Sequence, residues 1–193
     1  MKHLLKPLCL FFAIALLLGL CACGGKTVAD AKSFVSCLEK EDGYAQDYLQ
    51  QLQEATDSAS ALLLSELENM GCESYWKGGI LALPSAVISF MSFSTAAEAE
   101  AYLADWKDDC ETELSAATGA EAGSMQTTDG DWQRFIYDLD DVQVYYNGSS
   151  YDVYAVCIQN DEAIITIRLQ AYGADLTSAD KSAVNSLIMS LGY

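Results

Sequence analysis

The sequence predicts an α+β domain: an antiparallel meander of about four to five strands packed with helices, in the order αα-β-α-ββββ-α. Two observations carry this. Apolar residues recur at helical spacing in the first two thirds of the chain. After residue 131 the pattern changes to β-branched and aromatic segments separated by "NGSS" and "ND", which are tight-turn signals. A chain of 193 residues is long enough for one such domain with a real core.

The elements follow in order. Residues 28–39 carry Val28, Ala31, Val35 and Leu38 on one helical stripe, and "EDG" at 41–43 breaks it. A long helix is expected from Tyr44 to Met70, because Tyr44, Tyr48, Leu52, Ala55, Ala59, Leu62, Leu63 and Leu67 recur at helical spacing. Gly71 is its natural stop, since glycine takes the left-handed conformation without a Cβ clash. Gly78, Gly79 and Pro84 read as a turn region, and "AVISFMSF" (86–93) reads as a strand with Pro84 at its start. "TAAE" (95–98) is a capping box opening a helix with Ala99, Tyr102, Leu103, Trp106, Cys110 and Leu114 on one face. Residues 119–130 read as a loop by composition. Strands are expected at 132–139, 142–146, 151–159 and 162–172, and a helix capped by Thr177 or Ser178 closes the chain.

Residues 1–22 stand apart. Lys2, His3 and Lys6 precede the uncharged run "LCLFFAIALLLGL", the pattern of a secretory signal peptide. The run is shorter than the ~20 residues that a spanning helix needs. "LCAC" (Leu20–Cys23) resembles the bacterial lipobox, with an aliphatic residue at −3, a small residue at −1 and then the lipidated cysteine. The resemblance implies that residues 1–22 are removed and that Cys23 becomes a lipidated N-terminus. Two acyl chains would hold it stably to the outer face of a membrane, at roughly 0.8 kcal/mol per buried methylene. Residues 23–28 would be a short tether, and 29–193 a single domain close to that membrane. The C-terminal part, a tyrosine-rich meander followed by a short helix ending "SLGY", resembles small exported Firmicutes lipoproteins, which implies no particular activity.

Charge narrows the partners. The net charge is −18, with 28 acidic residues against 10 basic ones. Loss of Lys2 and Lys6 with the signal peptide would take it to −20. Such a surface excludes nucleic acid as a partner and disfavours docking on anionic lipid, while it attracts cations and basic peptides. The only histidine is His3, so the mature chain can hold neither a Ser-His-Asp nor a Cys-His site, nor a histidine-ligated metal.

Strand parity divides the sheet. With "ND" as a two-residue turn, Ile158 faces Ala163, Val156 faces Ile165 and Tyr154 faces Ile167, which makes a strongly apolar face for the helices. The opposite face holds Val142, Val144, Tyr146, Tyr151 and Val153 with Arg168 and Gln170. It reads either as a surface partly covered by the long N-terminal helix or a loop, or as an exposed tyrosine-and-valine patch for a partner.

Other candidate chemistry is thin. Cys37, Cys72, Cys110 and Cys157 allow three disulfide pairings, of which Cys37–Cys72 is the first to test because the two lie near the ends of consecutive helices. No two of these cysteines are close enough in sequence for a metal knuckle. Asp129, Asp131, Asp138, Asp140 and Asp141 invite calcium but lack the twelve-residue loop with its closing glutamate. "SYWK" and "SADK" are Ser-x-x-Lys matches without companion motifs. Trp76 and Trp132 could stack on sugars or sit at a core edge. No cofactor is implied. The expectation is a membrane-anchored, extracytoplasmic, non-catalytic binding or interaction module, with a protein or cationic ligand. The alternative is a cell-envelope or carbohydrate hydrolase working through paired carboxylates.

Overall fold

A computed structural model describes residues 30–39, 50–51, 58–80, 84–119, 122–130, 132–143 and 149–193. They form α1 (Ala31–Leu38), β1 (Gln50–Gln51), α2 (Ser58–Asn69), β2 (Cys72–Ile80), β3 (Ser85–Phe93), α3 (Ala96–Ala116), β4 (Gly123–Asp129), β5 (Trp132–Gln143), β6 (Ser150–Asn160), β7 (Ala163–Tyr172) and α4 (Ser178–Ser190). The strands make one seven-stranded sheet in the order β1-β2-β3-β7-β6-β5-β4. Every pairing is antiparallel. The α+β class is therefore as expected, with more strands than expected.

Helices lie on both faces, because the chain alternates apolar side chains on both faces of its central strands. On one face α1 and α4 bring Phe34, Leu38, Val184, Leu187 and Ile188 against Ile88, Phe90, Val156, Ile158, Ile165 and Ile167. On the other, α2 and α3 bring Leu67, Ala99, Leu103 and Cys110 against Met91, Phe135, Cys157, Ile164, Leu139 and Val153. Each large aliphatic or aromatic side chain so buried contributes roughly 1.5–3 kcal/mol.

Helix ends follow local chemistry. Asp30 caps α1 through the Ser33 amide at 2.7 Å. Thr95 accepts from the Glu98 amide at 3.3 Å, and its hydroxyl donates to the Glu98 carboxylate at 2.9 Å. Thr177 and Asp180 form a full capping box at α4. Gly71 has φ 85° after α2, the left-handed stop expected of it.

Several expectations are corrected. The long helix from Tyr44 is not continuous: Gln50 and Gln51 pair with Lys77 and Trp76 as the short strand β1. Residues 44–49 and 52–57 lie outside the described residues. Within α2 the inward stripe is Leu64 and Leu67, whereas Leu62 is 63 % exposed. The glycine-rich "YWKGG" is not a turn but part of β2. A Cβ on Gly79 would collide with the backbone carbonyl of Ala86 across the ladder, so the glycine permits a close strand approach. Residues 123–129, read as loop, form the edge strand β4. The segment 132–139 and the start of 142–146 join into one strand, Trp132–Gln143, through a bulge between Leu139 and Val142, and residues 144–146 lie outside the described residues. The β6–β7 turn is Asp161-Glu162, with Asp161 at φ 50°, so Ile158 faces Ile165 rather than Ala163. That slip of two residues preserves the faces, because side chains alternate with period two.

The second face is not an open patch. Val142 is 2 % exposed and Val153 is 0 % exposed, both beneath α3 and packed with Leu139, Ala155 and Cys110. Tyr151 is half-buried beside them. α3 covers the Val142–Val153 end of this face, and α2, the described end of the expected long helix, covers part of the rest at Cys157 and Ile164. Val144 and Tyr146 lie outside the described residues.

Candidate functional site

The most constructed polar feature begins with Asp152. It is 6 % exposed, near the start of the largely apolar strand β6. One carboxylate oxygen accepts from the Asp141 amide at 3.0 Å and the other from the Leu176 amide at 2.9 Å. A buried carboxylate is tolerated when its oxygens are matched by donors. Here the match ties the bulge of β5 to the segment that leads into α4. Asp141 sits at φ 54° in that bulge, and its side chain accepts from the Ser150 hydroxyl at 2.8 Å. The Asp140 and Asp141 carbonyls accept from the Gly119 and Thr118 amides at 3.0 and 3.3 Å, which brings the end of α3 to the same place.

These links leave a cleft of about 330 Å³ lined by Gly119, Asp140, Asp141, Asp152, Asp175, Leu176 and Lys181. Lys181 projects from α4 and pairs with Asp138 at 2.6 Å and with Asp140 at 4.0 Å. The lining is four carboxylates to one ammonium, so the cleft is acidic. Its most enclosed carboxylate, Asp152, already has both oxygens engaged by backbone donors.

A second polar cluster lies under the C-terminal half of α3. Arg168 donates two hydrogen bonds to Glu113, at 2.9 and 2.6 Å, in a bidentate fork. Tyr151 donates to the same carboxylate at 3.0 Å, and Arg168 Nε donates to Gln170 at 3.4 Å. Burial alone would lower the Arg168 pKa, but the hydrogen bond and charge of Glu113 raise it overall. Burial, with Glu113 beside it, pushes the Tyr151 hydroxyl up to about 12. This cluster fastens α3 to the sheet with its donors and acceptors matched to each other.

The Cys72, Cys110 and Cys157 thiols are chemically quiet. Burial pushes Cys72 up to about 11 and Cys110 up to about 12, and drives Cys157 up as well. All four described cysteines are free. Cys37 packs with the α1–α4 layer and Cys72 with the α2–α3 layer. The sheet therefore separates them, and the expected Cys37–Cys72 disulfide does not form: a bridge needs Cα atoms within about 7 Å.

The remaining candidates resolve as follows. Cys23 and Asp131 lie outside the described residues. Among the described residues no group of three or more acidic or cysteine side chains is arranged to hold a metal ion. Ser74 bonds Ser92 at 3.0 Å, and Lys181 of "SADK" is paired with Asp138. Trp76 and Trp132 are core-edge residues, Trp132 meeting Tyr193 edge-on at 5.6 Å. The sequence reading missed Asp152 and Asp175. The signal for Asp152 was present, as a lone carboxylate on the helix-facing parity of "YDVYAVCI".

No family model matches this chain. No curated protein matches it either. Among solved structures, the extracellular domain of PknH from Mycobacterium tuberculosis aligns with a TM-score of 0.36 and 8 % identity, over 84 % of this chain and 91 % of that one. A likeness at that level carries no argument about fold or function. No helix among the described residues is long and apolar enough to cross a membrane.

Proposed function

We propose that this protein is a lipid-anchored, extracytoplasmic binding module whose ligand site is the acidic cleft beside Asp152, and that its ligand is a small cation-bearing molecule. The observation that carries the reading is the cleft itself: about 330 Å³, four aspartates and one lysine already held by Asp138 and Asp140. Clefts walled by one sign of charge concentrate the opposite sign, and the chain's net charge of −18 adds to that field. The anchor rests on the lipobox resemblance at Leu20–Cys23 and on the short tether after it. Binding is favoured over hydrolysis by the engagement of Asp152. A paired-carboxylate hydrolase needs one carboxyl free to give a proton and a second free to attack or to activate water. Asp152 has both oxygens occupied.

The test is calorimetric titration of the protein with spermidine, beside an Asp140→Asn/Asp175→Asn double variant. The expected result is saturable binding that weakens several-fold in the variant and falls as salt rises. Binding that is indifferent to both the variant and salt would place the ligand elsewhere. Release of reducing sugar from envelope polysaccharide, lost in the same variant, would favour the hydrolase.

A further inference from the structure

The sheet has two unequal edges. One is closed over by β1 at Trp76 and Lys77 and carries a lysine there. The other is β4, which has a strand neighbour on one side only among the described residues. Natural sheets protect such edges with lysine, proline, a bulge or a covering element. β4 reads "GSMQTTD" and has none of the first three: its ladder with β5 runs without a register shift from Gly123 to Asp129. Nor is it covered. Ser124, Met125, Gln126, Thr128 and Asp129 are exposed, so side chains of both faces meet solvent. Met125 is 52 % exposed, and a Cβ added at Gly123 or Gly130 would meet nothing within 4 Å. The outward edge of a seven-residue strand, where the N–H and C=O of alternate residues point away from β5, is a template for one more antiparallel strand.

We infer that β4 pairs antiparallel with β4 of a second copy of this chain, about a two-fold axis through Gln126. The strand is self-complementary in that register. Gln126 faces its own copy, Met125 faces Thr127, Ser124 faces Thr128, and Asp129, the strand's one charge, faces Gly123. The two Asp129 carboxylates then lie at opposite ends of the ribbon. They are about 20 Å apart at the rise of an extended strand, beyond the ~8–10 Å over which charge acts in physiological salt. A basic peptide would find no acidic side chain along the body of the strand to select it. The pairing joins two sheets into one and buries both exposed methionines against threonine. The wider surfaces are acidic on both copies, so the pairing strengthens with salt.

Site-directed cross-linking of the full chain in its host membrane tests this. Residues facing each other across an antiparallel pair have Cα atoms about 4.5–5.5 Å apart, within disulfide reach. Gln126→Cys, at an exposed position, should give a dimer under mild oxidation, at least tenfold above the parent chain and Asp129→Cys, and more at high salt than at low. Three results would overturn the inference: no dimer from Gln126→Cys, equal yields from the two variants, or a Gln126→Cys product whose mass is not twice that of the chain. The last would assign the edge to a different protein.

Discussion

At the scale of single residues, the structure turns on a few polar groups that the core has absorbed. Asp152 is the clearest. Asp152→Ala would leave the Asp141 and Leu176 amides without their acceptors at a buried site, and the expected cost is about 3 kcal/mol in urea melts. A loss near zero would mean that those amides find other partners. The hydroxyls and thiols give a second expectation. Cys72 and Cys110 rise from 9.0 to about 11 and about 12, and Tyr151 from 10.0 to about 12. A raised pKa favours the protonated folded form. The contribution is whole below pH 9, where neither state ionises, and is lost as pH climbs through the folded values. The denaturation midpoint should therefore hold steady from pH 6 to 8 and fall between about pH 9 and 12. A midpoint that rises with pH in that window would contradict the burial of these groups. In the sequence, Asp152 is visible as a charge on a core parity, but its two amide partners are not. They come from a bulge and a loop that only the fold brings to it.

Among the elements, legibility followed periodicity. α1 was readable from its apolar stripe, and α3 and α4 because their apolar stripes and caps agree. β6 and β7 were readable because turn residues and β-branched runs bracket them. β4 was not, since a strand exposed on both faces has no apolar alternation to see. β2 was hidden by Gly78 and Gly79, whose usual meaning is a turn. Here Gly79 lets the backbone of β3 come close, and Gly79→Val should destabilise by several kcal/mol, unlike a side-chain change at a turn glycine. Thermal melts of that variant decide between the two: an unchanged midpoint would restore the turn reading. The covering of the second face by α3 could not be read from parity alone. Parity says which residues share a face, not which helix lands on it. The α3 stripe from Ala99 to Leu114 matches that face in length, and Glu113 supplies the partner that Arg168 needs there.

For the whole molecule, a proposed address is joined to a surface. The folded part is a sheet between two helical layers, strongly acidic, with its cleft at the meeting point of the β5 bulge, the end of α3 and the start of α4. That place was only partly legible: Asp140 and Asp141 stood out as turn acids, while Asp175 and Lys181 are brought to them by the return of α4 across the sheet. The proposed address rests on "LCACGG", where the lipobox resemblance implies that Cys21 is discarded with the leader and that Cys23 carries the lipid. Whether the chain works from a membrane surface is decided by the mass and fractionation of the native protein and its Cys23→Ala variant. The expected result is a native N-terminal peptide beginning at Cys23 and carrying diacylglycerol, and a variant that is either left unprocessed or released from the membrane. A Cys23→Ala chain that is cleaved at the same place and stays membrane-bound would contradict it.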